Sequence, residues 1–405
     1  MKGKEKIMEF LQQAKGIEEE LIKIRRTLHM YPEVDFDLPK TRELIKNTLN
    51  KWEIENYDCG KSGICGIIKG RGENTIILRA DMDALSINES KDKEYSSKIE
   101  GQMHACGHDA HVAILLGAAK LLNDNKKLLN GNVKLLFEAA EETTGGAQSM
   151  IEDGVLKDPK IKGVLALHVD ENTEVGSIEV NRKVVNAASN PFKVTVLGKG
   201  GHGARPHATV DAVTITCNII TMLQQLVSRE TSPTEPCVLS IGKINGGTAA
   251  NAIPSVVTFE GIIRTMTPKH REYMKKRLEM VAKNTAQTMG GDAEVEIYES
   301  YPCLHNDVTL CSEFIEIAEE FLGKDNVKIK EEPSMGVESF AYFAEQKPSV
   351  FYFLGSRNEE KGITHAAHSC DFDVDEQCLR IGASLQAETA FRMLSNGEWK
   401  MENGK

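Results

Sequence analysis

The chain has 405 residues, 40% of them hydrophobic and 27% charged, which is ordinary for a globular protein of about two or three domains. Its formal charge of −11 offers no basic footprint for nucleic acid. No apolar run approaches the roughly 20 residues that span a bilayer, so neither nucleic acid nor a membrane is expected as a partner.

Nine cysteines without paired spacing predict reduced thiols and a cytoplasmic location. Residues 5–30 predict one or two amphipathic helices ending near Tyr31-Pro32, with Arg25, Arg26 and His29 in solvated or structural roles. A short strand follows at 63–70. The apolar run 75–80 then predicts a buried parallel strand that delivers Asp81 and Asp83 at its C-terminal end, on one face because side chains alternate.

The stretch Met103-His104-Ala105-Cys106-Gly107-His108-Asp109-Ala110-His111 is the densest in chemistry. Cys106 and His108 are two apart, so they diverge on a helix and converge on a loop. A helix is therefore expected to begin at Asp109, whose carboxylate suits an N-cap, and to leave the pair in the preceding loop. A buried cysteine among surface histidines is the alternative, and five metal-capable side chains in nine residues argue against it. A buried strand at 131–137 runs out into Glu141 and Glu142, adjacent carboxylates that either sit in water or share a cation. Another, at 163–168, ends on His168. Strands ending in Asp, Glu-Glu and His point to one crevice, since open α/β sheets bind ligands at the carboxyl ends of their strands.

The pattern changes after residue 186. Strand 192–197, helix 209–227, strands 237–243 and 256–264, helix 268–289 and strand 293–298 follow the β-α-β-β-α-β order of a ferredoxin-like sandwich. The chain is thus expected to fold as residues 1–186 and 299–405 of one α/β domain, a mainly parallel sheet flanked by helices, with an inserted α+β lid at 187–298. Within the insert, a glycine-rich turn presents His202, a second presents Asn251, and Arg264 closes a strand. Facing a crevice, these would serve as oxyanion stabiliser, orienter and carboxylate clamp. The last part predicts a helix at 310–322, a strand at 349–354, a histidine loop and a final helix from about residue 375 to 394.

Cys106, His108, Glu142, His168 and either His365 or His368 form a mixed S/N/O set that suits Zn, Mn, Co or Ni and differs from the all-oxygen shell of Ca or Mg. More than four donors permit two ions. One glutamate can bind metal while its neighbour acts as base, a division of labour that amide hydrolysis needs and a structural site does not.

Arg79-Ala80-Asp81-Met82-Asp83-Ala84-Leu85, Met103 to Asp109, Ala140-Glu141-Glu142, Gly200-Gly201-His202 with Pro206-His207, Asn251-Ala252-Ile253-Pro254 and His368-Ser369 together resemble the dinuclear metallo-aminoacylase and carboxypeptidase family. The branch they most resemble holds hippurate hydrolases, N-acetyldiaminopimelate deacetylases and indole-acetyl-amino acid hydrolases. The resemblance implies a metal-dependent exopeptidase-like catalytic domain and two divalent transition-metal ions. It implies Cys106, His108, Glu142, His168 and His368 as ligands, His368 being chosen over His365 by the following Ser369, Phe372, Asp375 and Glu376. It further implies Glu141 as general base, Asp83 as the orienter of a ligand and His202 as the oxyanion histidine, with Asn251 and Arg264 binding substrate. The expected partners are a small N-acyl amino acid and further copies of the chain, as a homodimer or homotetramer through the lid. The expected reaction removes the N-acyl group by metal-activated water. A dipeptidase or carboxypeptidase of the same family, and a catalytically silent metal-binding scaffold, are the alternatives. Three departures stand out: Phe137-Glu138-Ala139 in place of Phe-Gln-Pro, Glu338-Ser339-Phe340 in place of Glu-Asp-Phe, and the additional His365.

Overall fold

A computed structural model describes residues 2–90, 93–157 and 160–395. The first stretch holds α1 (Lys2–Met30), α2 (Pro39–Lys51), β1 (Glu55–Cys59), β2 (Gly63–Ile68), β3 (Thr75–Asp81), α3 (His108–Asp124), β4 (Asn132–Glu138), α4 (Ala147–Glu152), β5 (Ile161–Glu174) and β6 (Ile178–Val180). The middle holds β7 (Val184–Asn186), β8 (Ala188–Leu197), β9 (Gly201–His202), α5 (Ala212–Gln225), β10 (Cys237–Gly246), β11 (Ala252–Ile253), β12 (Val256–Thr265), α6 (Pro268–Thr288) and β13 (Asp292–Ile297). The last holds β14 (Leu304–His305), α7 (Val308–Leu322), β15 (Val327–Ile329), α8 (Ala341–Ala344), β16 (Ser349–Arg357) and α9 (Gln377–Ser395).

These elements cluster into two compact units. The larger comprises Met1–Lys183, His305–Glu332 and Tyr342–Lys405. Its eight strands form one sheet in the order β1-β2-β4-β3-β5-β16-β6-β15. The central four, β4, β3, β5 and β16, run parallel, whereas β1, β2 and β6 join antiparallel, so the sheet is mixed. Every residue of β3 is buried, as its run of Ile76, Ile77 and Leu78 demands of a strand covered on both faces. Helices α1, α3 and α9 pack on one another, and α3 and α9 also lie against β3. Leu21 and Leu28 of α1, Ile114 and Leu115 of α3, and Leu379 and Ala383 of α9 belong to the same apolar core. Among the described residues no helix is long and apolar enough to cross a membrane.

Two local expectations need correction. Helix α3 begins at His108, and its N-cap is Gly107 in the left-handed region (φ 86°), not Asp109. A side chain there is excluded twice, by the backbone and because a Cβ would meet Val169 Cγ2 at 2.4 Å. Asp109 sits in the first turn, where buried cations claim its carboxylate. Strand β5 does not end at His168 but continues to Glu174, because β16 pairs with it past that point.

The smaller unit comprises Val184–Leu304 and Pro333–Ala341. Its four-stranded sheet, in the order β10-β12-β8-β13, is antiparallel throughout, and the sequence of elements is β-α-β-β-α-β. Helices α5 and α6 supply Ile215, Ile219, Met274 and Leu278 to a separate core with Phe192 and Phe259. The cap on α5 is Asp211, which accepts from Val213 and Thr214 N–H, and that on α6 is Thr267 ahead of Pro268. Pro333–Ala341, which the sequence places in the last stretch, clusters with this unit because Ala187 N–H bonds Ser334 and Gly336 carbonyls.

Candidate metal centre and active site

The donors converge where the parallel strands end. Strand β3 leads into Asp81 and Asp83, and Asp81 lies in register with Glu138 of neighbouring β4. Beyond β4 the chain turns sharply at Ala140, a non-glycine residue with φ 58°. Asp83 holds that turn, accepting from the N–H groups of Glu141 (2.9 Å) and Glu142 (3.1 Å). Both glutamates are thereby aimed by one buried carboxylate. His368 also has a positive φ, 63°, and its N–H bonds Ala105 O at 2.8 Å, tying the late histidine loop to the Cys106 loop. Strained backbone of this kind persists only where the surroundings over-determine it.

The side chains form overlapping groups in which candidate ligand atoms all lie within 4.8 Å of one another: Cys106 with His108 and His168; Cys106 with Glu142 and His368; His108 with Glu141 and Glu142; and Asp81 with His108 and His111. Cys106 Sγ lies 3.2 Å from His168 Nε2, and His368 Nε2 lies 3.3 Å from Glu142 Oε1. His168 Nδ1–H donates to Val169 O at 2.7 Å, which leaves Nε2 free to accept. Both ring nitrogens of His108, together with Glu142 Oε1, are buried without a hydrogen-bond partner. Orphaned polar atoms cost about 1–3 kcal/mol each unless something bonds them.

Charge points the same way. Burial pushes the Cys106 thiol well up, despite His108 beside it. Burial alone would push His108 down, yet Asp81, Asp83 and Cys106 hold its pKa well above the usual histidine value. Glu142 is drawn down to about 2, against burial, by His368 and His108. One sulfur, three imidazoles and a carboxylate, ranging from fully buried His108 to exposed His368, fit divalent transition metals, because the donors are those they prefer and the orphaned atoms of His108 and Glu142 face one another at 3.7 Å. Cys106 and Glu142 each belong to two of the groups and His108 to three, so the groups form one continuous cluster.

His202, Asn251 and Arg264 belong to the smaller unit. The structure brings the first two together: His202 pairs with Ala252 between β9 and β11, and Gly203 N–H bonds Asn251 O at 2.8 Å. Ala204 N–H donates to His202 Nδ1 at 3.1 Å, which leaves the proton on Nε2 as an outward donor. Arg264 stands apart on β12, half-buried, with Nη1 buried and unpartnered; burial lowers its pKa. That cation fits an anionic ligand. His365 is exposed and joins none of the groups.

Sequence reasoning missed the layer behind these side chains. Fully buried Arg79 pairs with Asp81 (Nη1–Oδ2 2.7 Å) and with Glu138 (Nε–Oε2 2.7 Å), and Glu138 also accepts from Ala147 N–H. This accounts for the departure at Glu138: its charge is answered by Arg79. A second buried network joins Arg25, His29 and Asp109. The signal for it was present, since Arg25 and His29 fall four apart on the face of α1 that also carries Leu21 and Leu28.

The sequence pattern of peptidase family M20/M25/M40 matches residues 77–392. The chain belongs to that family. Thermostable carboxypeptidase 1 of Saccharolobus solfataricus is 36% identical over 382 residues, 93% of this chain and 96% of that protein. IAA-amino acid hydrolase ILR1-like 4 of Arabidopsis thaliana is 37% identical, over 92% of this chain and 86% of that one. Among solved structures, a protein of methicillin-resistant Staphylococcus aureus superposes with a TM-score of 0.91 at 33% identity, covering 96% and 99% of the two chains. The Bacillus subtilis YXEP protein, described as a dinuclear metal-binding peptidase of the M20 family, superposes at 0.82 with 31% identity over 94% and 99%. This M20 chain is therefore a hydrolase by family, on the mixed α/β sheet of that family.

Proposed function

We propose that this M20 protein is a metal-dependent amidohydrolase that removes the N-acyl group from an N-acyl-L-amino acid. The observation that carries the proposal is the Glu141-Glu142 pair. Both backbone N–H groups are held by Asp83, Glu142 is joined to His108 and His368, and Glu141 stands beside it with a carboxylate of its own. Cys106, His108, Glu142, His168 and His368 would hold two divalent ions from among Zn, Mn, Co and Ni. Ions held there would supply a lowered pKa for water and polarisation of an amide carbonyl. Glu141 takes the proton from the attacking water and passes it to the departing nitrogen. His202 Nε2–H donates to the oxygen that gains charge, Asn251 orients the substrate, and Arg264 receives the carboxylate of the amino acid.

The relatives named as a carboxypeptidase and as an IAA-amino acid hydrolase share one chemical demand, an amide whose amine half is an amino acid with a free carboxylate. The unpartnered Arg264 supports that demand. It also keeps the second reading, a carboxypeptidase or dipeptidase, in play. The test is amino-acid release from acetylated, benzoylated and dipeptide substrates by metal-stripped protein, with Zn, Mn, Co or Ni restored. Metal-dependent release favouring acyl amino acids is expected. Release from dipeptides alone would move the assignment to the peptidase, and no release under any metal would leave the silent scaffold.

We further propose a homodimer through the smaller unit. Helix α5 carries no charged residue and exposes Val213 and Met222. Sedimentation of the same preparation should show two chains per particle, and a monomer at every concentration would remove this part.

A further inference from the structure

His111 is the one histidine of the Cys106 loop region that both donates and accepts inside the protein. Its Nδ1 faces Asp81 Oδ1, and its Nε2 accepts from Val169 N–H at 2.9 Å. A nitrogen that accepts from a peptide N–H carries no proton, so the proton sits on Nδ1 against the carboxylate and His111 is a neutral ring in one tautomer. Asp81 is in turn fixed by Arg79, which Glu138 grips from the other side. All four side chains are at most 1% exposed.

The ring also occupies a particular place. It stacks on His108 at a centroid distance of 5.3 Å and meets His168 edge-on at 4.6 Å. The peptide N–H it accepts from belongs to Val169, directly after His168, and the Val169 carbonyl accepts His168 Nδ1–H. The backbone beside His168 is thus held by His111, and the His168 ring is held by that backbone.

We propose that His111 is a positioning residue: a buried, single-tautomer wedge that sets the ring of His108 and the peptide behind His168, so that both imidazoles meet the metals in a fixed orientation. The Arg79–Glu138 pair is its anchor through Asp81. This rests on the assignment of His108 and His168 as ligands, which the experiment tests separately.

The probe is Co(II), followed by its visible absorption, its thiolate charge-transfer band and competition with a chromophoric chelator. Three variants are compared with the wild type: His111→Gln, His111→Asn and His168→Ala. A glutamine's amide oxygen can take the place of Nε2 and accept from Val169 N–H, whereas an asparagine's shorter amide stands at Nδ1, keeps Asp81 and falls short of Val169. The expected result is that H111N weakens Co(II) binding by about 10–100-fold, the usual cost of losing a partner behind a ligand, and shifts the bands. H111Q should stay near the wild type, a rescue that loss of packing alone would not give. If H111N matches the wild type while H168A loses Co(II), the wedge is wrong and the ligand stands. If H168A also binds unchanged, the ligand assignment fails and the wedge with it. Both His111 variants failing to fold, by circular dichroism, would make the residue structural and overturn the proposal.

Discussion

Glu141→Gln is expected to abolish most turnover while leaving metal content intact. The amide keeps the shape of the side chain and the backbone position that Asp83 imposes through its bond to Glu141 N–H, so only the proton-accepting carboxylate is lost. A general base contributes roughly 10²–10⁴-fold, and kcat should fall by that factor with KM little changed. Glu142→Gln is the contrasting control. Its carboxylate oxygen is buried without a hydrogen-bond partner and lies 3.3 Å from His368 and 3.7 Å from His108, so its loss should show first as lost metal. Metal analysis beside steady-state kinetics separates the two. Equal loss of metal in both variants would show that the neighbouring glutamates do not divide their roles, and near wild-type turnover in Glu141→Gln would remove it as base.

The largest expected effect on stability is that of Arg25→Met. Arg25 is fully buried; its Nε lies 2.8 Å from Asp109 and its Nη2 2.8 Å from Asp373, with Glu376 at 3.6 Å. It therefore ties α1 to the first turn of α3, next to His108, and to the segment that follows His368. Removing one member of such a buried network strands the others, at a cost of about 3–5 kcal/mol. His29, 2.8 Å from Asp109, remains to soften the loss. A lowered denaturation midpoint at pH 7 is the expected result.

The same network fixes a pH dependence. Burial would raise Asp109 and Asp373, but Arg25 with His29 in the first case, and Arg25 with Lys93 in the second, holds both carboxyls well below the usual range. A carboxylate whose folded pKa lies below its unfolded value, near 3.9, stabilises fully above about pH 4 and loses that contribution as pH falls toward the folded pKa. Without Arg25 the two carboxyls protonate more readily. The gap between wild type and variant should accordingly be widest near neutrality and narrow below about pH 4. A gap that stays constant from pH 7 to pH 3 would mean that packing, not charge, accounts for the loss.

Much of this was legible locally. The β3 run of isoleucines and leucine announces a buried strand because only a covered strand tolerates it, and Thr267-Pro268 announces a helix start because its chemistry is confined to the cap. Other elements left weak traces. Strand β1 is Glu-Asn-Tyr-Asp-Cys, largely exposed at the sheet edge, and β6 and β15 are three residues each, too short for any period to show. Asp109 looked like a cap because short acidic side chains favour that place. A left-handed Gly107, required by the approach of Val169, moved the helix start one residue earlier.

The sequence by itself determined the donor types, their order along the chain, and the adjacent glutamates on which the proposed division of labour rests. Those are properties of residues and their immediate neighbours. Only the tertiary structure decided which donors meet, and what stands behind them. Arg25 and Asp373 are 348 positions apart, and His111 and Val169 are 58 apart. No periodicity or propensity records such pairings, because they arise where separately folded strands and helices pack and buried charges must find partners within that packing.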